Sequence, residues 1–429
     1  MAGLIVAMAA TILLPTPARS AASVLYSFVA GPQNGDHPYA GLIADKAGNL
    51  YGVTQNGGSF NAGTVFRLTP PVAKTGAWTE TALFVFDGGV GGGLPKAGLS
   101  LDKQGNLYGT TFQGGADYAN EGVVFKLSPP ATAGAAWTET VLYSFTGAAD
   151  GGGPLGGVVF DKNGDLLGTA SHGGDLSCNY PFGCGVVFQL IPSVPGSGLP
   201  WSEAVQWAFA PGGDGQTPSG PLIFDKKKKY VFGTTQSGGA NGFGTVYKMR
   251  LKTHPTAKPA EQDIYDFEGN PDGQTPYSGV TLTKLGHLFG TTYGGGDNGL
   301  GTVFELAPAG AASQWDGTVV YSFTGADGGQ PMGPVTFRSK NVMIGTTVGT
   351  GAASATGTAA GKYGSVFRLT SDGTDNWTET VLYTFAGGAA DGAAPTGKLV
   401  VRKGVIYGST QYGGQGKGQG WGTVYQIVP

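Results

Sequence analysis

Apolar and aromatic residues occur along the chain in short runs, which are separated by clusters of glycine, proline and polar residues. The runs are rich in Val, Phe, Tyr, Trp, Leu and Thr, the residues favoured in strands. Apolar and polar positions alternate in runs such as Thr138–Ser144, and no stretch has the periodicity of an amphipathic helix. The pattern predicts an all-β chain of short strands joined by tight turns.

One composite unit recurs along the sequence. An apolar run ending in Asp-Lys is followed by a turn, by Leu-Tyr-Gly-Thr-Thr, by a Gly-Gly loop, by Gly-Thr-Val-Phe-Lys-Leu and by Trp-Thr-Glu-Thr-Val-Leu-Tyr-Ser-Phe. Each unit offers four strands of five to nine residues, and turns such as 161–165 predict a hairpin between the first two. The last Phe occurs seven times, at intervals of 56 to 64 residues: Phe28, Phe86, Phe145, Phe209, Phe267, Phe323 and Phe385.

Two glycines keep their places in every unit. One lies inside the second strand, where we expect a neighbouring sheet to pack an aromatic ring: Gly52, Gly109, Gly168, Gly233, Gly290, Gly345 and Gly408. The other opens the third strand: Gly63, Gly122, Gly185, Gly244, Gly301, Gly364 and Gly422. Landmarks repeated at this period predict a β-propeller with one four-stranded antiparallel blade per unit.

The phase of the repeat bears on how the ring closes. The first run, Ser23–Phe28, matches a fourth strand, whereas the last, Gly422–Ile427, matches a third strand. Seven complete blades therefore require the N-terminal strand to join the C-terminal blade, which removes the open edges of the array. A linear β-solenoid would need shorter coils and atypical capping units. The sequence thus predicts a closed seven-bladed propeller.

Composition narrows the function classes. Glycine accounts for 80 of the 429 residues, a share close to that of low-complexity chains. Because the glycines recur at fixed offsets between apolar runs, we expect an ordered fold. Charged residues make up 12% and the net charge is −3, with no basic stripe, so we expect no nucleic-acid partner. The one basic run, Lys226–Lys229, is expected in a hairpin turn.

The first residues resemble a secretory signal. Gly3–Leu14 is apolar but too short to span a bilayer, and small residues at Ser20–Ala22 predict cleavage after Ala22. We therefore expect a signal peptide at 1–22, a single propeller domain at 23–429, and a secreted or periplasmic monomer without a membrane span. In that compartment the two cysteines, Cys178 and Cys184, are expected to form a local disulfide.

The composite motif resembles the GloVer (Gloeo/Verruco) tandem repeat of bacterial exported proteins. The resemblance covers nearly all of residues 23–429, and it implies an extracellular location and a repeat architecture. It brings no assigned activity and no catalytic residues. Relatives often carry a C-terminal anchoring segment, whereas this sequence stops at Pro429 after a strand; we expect free secretion or periplasmic residence.

In such a propeller, the loops from fourth strand to next first strand share one face with the loops between second and third strands; we call it the top face. The first set carries a recurring Asp-Gly-x-x-Pro, which fits turn chemistry. The alternative is a ring of carboxylates able to hold Ca²⁺. No dense ligand loop supports a metal, so we expect no cofactor. The acidic residues are Asp150, Asp214, Asp272, Asp327 and Asp391.

The loops between second and third strands vary most, with 11 to 19 residues from one landmark glycine to the next. Variable loops on a rigid scaffold are where binding specificity usually lies. Their aromatic residues are either packed on their own loops or available to stack on sugars. The candidate binding residues of this face are Tyr39, Phe60, Tyr118, Tyr180, Phe182, Phe243, Tyr293 and Tyr412.

Catalytic motifs are absent from the sequence: there is no Gly-x-Ser-x-Gly elbow and no His-Glu-x-x-His site. His37 and His172 are expected on the top face, His254 and His287 on the bottom face. The glutamates that recur in the fourth strand, such as Glu80 and Glu139, are interpreted as charges that protect an outer edge. The neighbouring tryptophans are expected to anchor that strand to its own blade.

The sequence therefore favours a non-catalytic extracellular binding or scaffold protein, with carbohydrate or another surface polymer as its ligand. The alternative is a secreted propeller enzyme, a polysaccharide lyase or hydrolase or a lactonase, with its site at the central mouth of the top face. Propellers host many functions, so the fold does not choose between them.

Overall fold

Seven four-stranded antiparallel sheets are arranged in a ring, which makes the protein a seven-bladed β-propeller. The computed structural model describes residues 21–29, 31–73, 76–116, 119–132, 134–178, 181–193, 201–251, 260–310, 314–349, 362–374, 376–416 and 418–429. Within these residues, no helix has the length and apolar character needed to cross a membrane.

Each blade is a meander whose strands run from the channel outwards in sequence order, except that the N-terminal strand is the outermost strand of blade 7. Blade 1 contains Ile43–Ala44, Leu50–Thr54, Thr64–Thr69 and Thr79–Val85. Blade 2 contains Ser100–Leu101, Leu107–Thr111, Val123–Ser128 and Thr138–Ser144. Blade 3 contains Val159–Phe160, Leu166–Ala170, Val186–Ile191 and Ser202–Ala208. Blade 4 contains Gly215–Phe224, Tyr230–Gly238, Thr245–Arg250 and Ala260–Asp266.

The remaining blades follow the same order. Blade 5 contains Thr281–Leu282, Leu288–Thr292, Thr302–Ala309 and Gln314–Ser322. Blade 6 contains Thr336–Ser339, Val342–Thr347, Ser365–Ser371 and Trp377–Thr384. Blade 7 contains Val400–Arg402, Val405–Thr410, Thr423–Val428 and Ala21–Ser27. Two short sheets join top-face loops: Gly35–Asp36 with Asn56–Gly57, and Gly392–Ala393 with Tyr412–Gly413.

Closure of the ring by the two ends of the described chain is confirmed. Ala21 pairs with Val428 and Ser27 with Thr423, so the N-terminal strand is the outermost strand of blade 7. The N–H of Phe28 donates to the carbonyl of Gly422 at 3.0 Å. The predicted signal, apart from its last two residues, lies outside the described residues.

The innermost strands are shorter than predicted, with two paired residues in blades 1, 2, 3 and 5. Each of these strands is preceded by a proline-containing segment, and proline has no N–H to donate to a ladder. Carbonyls of these segments accept hydrogen bonds from the preceding blade instead. The Thr110 hydroxyl donates to the Gly156 carbonyl at 3.2 Å, and the Thr234 hydroxyl donates to the Ser278 carbonyl at 2.9 Å.

The glycine of each second strand is covered by an aromatic ring, but the ring comes from the third strand of the same blade and not from a neighbour. A Cβ on Gly290 would lie 2.3 Å from the ring of Phe304. That ring packs edge-on against Phe267, the last Phe of the preceding blade, with centroids 5.1 Å apart. The neighbouring blade thus supplies the second layer of the contact, and the rings together form a buried aromatic belt.

The fourth-strand tryptophans also differ from expectation, because they contact the preceding blade. Trp78 of blade 1 lies edge-on to Tyr407 of blade 7, with centroids 6.0 Å apart. Trp377 of blade 6 lies 5.9 Å from Phe289 of blade 5 in the same way. These tryptophans anchor blade to blade at the outer part of the ring.

A glycine–proline contact links every blade to the next on the top face. A Cβ on Gly301, which opens a third strand, would lie 2.8 Å from Cδ of Pro331 in the next blade. At the ring junction the same contact joins Gly422 to Pro38, at 2.5 Å. The residue before each of these prolines has a positive φ of 51–57°, in six cases without being glycine: His37, Leu94, Gly153, Thr217, Thr275, Gln330 and Ala394. This repeated joint brings all the top-face loops towards one centre.

The recurring fourth-strand glutamates are half-buried rather than exposed at an edge. In the described part of the chain, one carboxylate oxygen is buried without a hydrogen-bond partner in each of Glu80, Glu139, Glu261 and Glu379. Burial raises the pKa of Glu80 and of Glu139 to about 7. Edge protection is therefore the wrong interpretation of these residues.

Candidate functional site

The innermost strands, together with the proline-containing segments that lead into them, line one central cavity of about 250 Å³ to which all seven blades contribute. Its wall begins, in each blade, with the residue that follows the top-face proline: Tyr39, Lys96, Leu155, Ser219, Tyr277, Met332 and Thr396. Six of these line the cavity, while Ser219 is buried. The side chains of the mouth are therefore set by one position of the repeat.

Glycines let the inner strands approach closely below the mouth. A Cβ on Gly41 would lie 2.5 Å from the backbone N of Lys398, and a Cβ on Gly157 would lie 2.5 Å from the carbonyl O of Gly98. At the same repeat position, blade 7 has Lys398 in place of glycine. A long cationic side chain thus lines a ring that is otherwise built of glycine and proline.

Tyrosines converge at the mouth from blades that are distant in sequence. Tyr39 of blade 1 has a pKa raised to about 12 by burial and, further, by the nearby phenols of Tyr277, Tyr412 and Tyr293. The rings of Tyr277 and Tyr293 meet edge-on with centroids 5.2 Å apart. Of the predicted binding residues, the structure therefore brings Tyr39, Tyr293 and Tyr412 together and adds Tyr277.

A row of rings extends from the cavity across blades 2 and 3. The Lys96 amine lies 3.7 Å from the ring centroid of Phe112, in a cation–π contact. Phe112 lies 5.6 Å from the ring of His172, which in turn lies 5.4 Å from Phe182. Phe182 is 55% exposed. The row connects one predicted loop aromatic to the wall of the cavity.

The other predicted aromatics do not join this cluster. Phe60 is 66% exposed on its loop. Phe243 is 38% exposed and packs beside Gly269 of the loop that leads to blade 5, 3.2 Å from the position of a Cβ there. Tyr118 and Tyr180 lie outside the described residues. The two placed rings are available to a ligand only outside the mouth.

The aspartates of the top-face turns are held by their own blades. Asp150 accepts from the Tyr143 hydroxyl at 3.0 Å and from the Thr146 N–H at 2.9 Å. Matching hydroxyl or indole donors come from Tyr265 to Asp272, Tyr321 to Asp327, Tyr383 to Asp391 and Trp207 to Asp214. These bonds support the turn interpretation, since each carboxylate already has at least two donors.

One acidic cluster stands out on blade 4. Carboxylate oxygens of Asp214, Glu261 and Asp263 lie within 4.8 Å of one another. Burial and then the charge of Asp263 raise the pKa of Glu261 to about 9; burial raises that of Asp263 to about 7. Like charges this close share protons at neutral pH rather than ionise together.

Of the three described histidines, His37 and His172 lie at the rim and His287 lies in a hairpin turn on the bottom face, and none of the three lines the cavity. His37 Nδ1 is 2.7 Å from a carboxylate oxygen of Asp36, and its ring is 5.2 Å from that of Tyr412. His172 Nδ1 is 3.4 Å from a carboxylate oxygen of Glu121. His287 pairs with Glu305 at 2.5 Å, and His254 lies outside the described residues. The described cavity lining contains amines and phenols, with no carboxylate, imidazole or guanidinium.

The disulfide between Cys178 and Cys184 is present, with Cα atoms 5.4 Å apart, and both residues are buried. It closes part of the long loop between second and third strands of blade 3. The carbonyl of Cys184 accepts from the N–H of Thr217 at 2.9 Å. The disulfide therefore fixes the loop where blade 3 meets blade 4.

A family model named the Gloeobacter/Verrucomicrobia repeat matches residues 8–188 and 133–359. The chain belongs to the Gloeobacter/Verrucomicrobia repeat family. The two matched regions overlap and together contain most of the propeller. No curated protein matches this member of the family.

Solved structures that resemble this Gloeobacter/Verrucomicrobia repeat protein share little sequence with it. A Thermus thermophilus protein described as an oxidoreductase (glucose dehydrogenase) is 14% identical over 95% of this chain and 100% of that chain, with a TM-score of 0.42. A Bacteroides uniformis protein described as a 6-phosphogluconolactonase is 13% identical over 91% and 100%, with a TM-score of 0.48. An endo-arabinase of Bacteroides thetaiotaomicron is 12% identical over 70% and 99%, with a TM-score of 0.33. At these values none bears on function.

Sequence reasoning missed Lys96, Lys398, Tyr277 and Phe112. Their signal lies in the repeat itself, because Lys96 and Tyr277 directly follow the landmark proline, and Phe112 directly follows a second strand. Aligning the units of this repeat protein shows these positions changing from blade to blade beside fixed Gly and Pro. Positions that vary among the blades and lie next to the constant glycines and prolines near the channel are those expected to line a shared mouth.

Proposed function

We propose that this repeat protein is a secreted or periplasmic monomer, with residues 23–429 as one domain, that binds carbohydrate or another surface polymer without catalysis. The observation that carries this proposal is the convergence of Tyr39, Tyr277, Tyr293 and Tyr412 at a solvent-accessible mouth. Tyrosines present flat apolar faces with a polar tip, which suits stacking on sugar rings. The buried disulfide supports an oxidising compartment.

The polar groups near the mouth support binding rather than bond cleavage. Glycoside hydrolysis uses a pair of carboxyl groups that flank the scissile bond. The carboxylates of the top-face turns are instead each engaged by donors of their own blade. No described residue of the cavity wall is a carboxylate.

The test is a binding assay with envelope and extracellular polysaccharides, using the purified protein and its Tyr39→Ala and Tyr277→Ala variants. We expect retention of one polymer class and its loss in both variants. Phe60→Ala is the matched control, since Phe60 is a top-face aromatic outside the mouth. Failure of the wild-type protein to retain any polymer contradicts the proposal.

The enzyme alternative is supported by two histidine–carboxylate pairs at the rim, of which His37–Asp36 beside Tyr412 is the shorter and His172–Glu121 the longer. A histidine oriented by a carboxylate is a common general base. Release of reducing ends or of unsaturated products from a retained polymer, abolished in His37→Ala, would favour the enzyme. Retention without product release favours the binding protein.

A further inference from the structure

Two lysine side chains line the central cavity. Lys96 follows the proline that opens blade 2, and Lys398 takes the place of glycine two residues lower in the wall of blade 7. Blades 2 and 7 flank blade 1 in the closed ring, so both residues belong to the same part of the cavity wall, where the Lys96 amine also lies over the ring of Phe112 at 3.7 Å. Lys398 is exposed to solvent within the cavity, and Lys96 is half-buried.

Neither amine has an anionic partner. In the described part of the chain every ion pair involves a histidine, and no carboxylate oxygen comes within 4.0 Å of Lys96 or Lys398. Enclosure by the cavity walls lowers the pKa of both amines, and no neighbouring carboxylate counteracts that shift. An ammonium at a cavity wall without a counter-charge is less favourable than one in open solvent, and an incoming anion relieves that cost.

The rest of the wall completes a small amphipathic site. The ring of Tyr39 and that of Tyr277 border the cavity with phenol groups that donate hydrogen bonds. Leu155 and Met332 supply apolar surface on the other blades. At about 250 Å³ the cavity is smaller than the ~300–1,000 Å³ of pockets that enclose drug-sized ligands. It suits a single sugar ring rather than an oligosaccharide.

We propose that the central cavity is an anion site that binds the carboxylate of one acidic sugar, a uronic acid, against Lys96 and Lys398. The sugar is either free or the terminal residue of an acidic polysaccharide. The inference rests on the proposed function and names the ligand class of the same mouth. The two amines bind the carboxylate, and the tyrosines contact the ring.

The test is titration calorimetry with glucuronate, galacturonate, glucose and acetate on the full chain. We expect a uronate to bind, glucose and acetate to bind at least about tenfold more weakly, and added salt to weaken uronate binding. Equal affinity for glucose and its uronate overturns the proposal. Binding of free uronate without retention of any polymer would overturn polymer binding in the proposed function but leave the anion site standing.

Lys96→Met and Lys398→Met identify the groups responsible. Each is expected to weaken uronate binding about tenfold or more, since a charge-assisted hydrogen bond is lost. Lys162→Met is the control, because Lys162 is exposed in a hairpin turn on the opposite face. Neither amine contributes an ion pair to the fold, so Lys398→Met should melt like wild type, and Lys96→Met should melt slightly lower because its cation–π contact with Phe112 is lost. Undiminished uronate binding in both folded variants overturns the anion-site proposal. Retention of a neutral polymer through Tyr39 would not rescue it.

Discussion

The hydroxyl of Ser409 donates a hydrogen bond to the carbonyl of Ala40 at 3.1 Å, across the junction where the ring closes. The same joint recurs between other blades, for example from Thr291 to the Gly333 carbonyl at 3.1 Å. The junction between the two ends of the chain is therefore built like the covalently continuous ones.

Removing the closing strand should open the ring. We expect a chain starting at Phe28 to melt well below the chain starting at Ala21, because the third strand of blade 7 loses its partner and becomes an exposed edge. Thermal unfolding by circular dichroism checks this. Equal melting temperatures would contradict closure by this strand.

Gly301→Ala should destabilise the protein more than Gly286→Ala. Both glycines have a positive φ, 92° and 96°, so both substitutions introduce backbone strain of about 1–3 kcal/mol. The added Cβ at Gly286 meets open space, whereas at Gly301 it meets the Thr292 carbonyl at 2.3 Å and Pro331 at 2.8 Å. Urea unfolding measures the difference. Equal losses would show that the contact between blades contributes nothing.

Stability should fall as the pH rises from about 4.5 to about 9. The folded-state pKa of Glu261 is raised to about 9 by burial and by Asp263, Asp214 and Asp266. The folded chain therefore holds a proton that the unfolded chain has already released, and this stabilisation is lost through that range. Melting temperatures measured across the range check the sign.

Glu261→Gln isolates this group, since the neutral amide has no proton to lose. We expect the variant to melt higher than wild type at pH 9 and to show a flatter pH dependence. Glu268→Gln, which removes an exposed carboxyl after the same strand, should leave both unchanged. A variant as pH-dependent as wild type would be evidence against the buried acid.

Removal of divalent metal should leave the fold unchanged. The top-face aspartates already accept hydrogen bonds, as Asp327 does from Tyr321 at 2.5 Å and from the Thr324 N–H at 3.0 Å. We expect the same melting temperature in EDTA and in excess CaCl₂. A rise of several degrees with calcium would instead favour an ion at the Asp214–Glu261–Asp263 cluster.

Loss of the disulfide should have a modest effect. Cys178 and Cys184 are six positions apart, and a loop this short predicts about 2 kcal/mol of stabilisation. The double Cys→Ser variant should therefore unfold at lower urea concentration but remain folded. No change in the urea midpoint would show that the contacts around Thr217 hold the loop by themselves.

The fold was predictable because its joints are made by residues with singular backbone properties. Gly301 and Pro331 are fixed in the repeat, and their contact between blades is what keeps the units in phase. Because Ser23–Phe28 matches a fourth strand and Gly422–Ile427 a third, the sequence also predicted that the N-terminal strand closes the ring. The confirmed disulfide followed from there being only two cysteines, close in sequence.

The residues of the candidate site and the contacts of the outer strands were harder to predict from the sequence. Lys398 is a single substitution for glycine, and only the ring places it in the same cavity as Lys96. The alternation around Glu139 shows two faces of a strand but not which one the next blade covers. Its burial, like the contact of Trp78 with Tyr407, depends on a neighbour that the strand pattern does not contain.

Pairing of Ala21–Ser27 with Thr423–Val428 also has a consequence for biogenesis. The strand made first has no partner until the last strand has left the ribosome, which takes tens of seconds at ~5–20 residues per second. During that time its free edge can pair with other nascent chains. A chaperone that shields this one segment would therefore raise the yield of native protein more than one acting on any single internal blade.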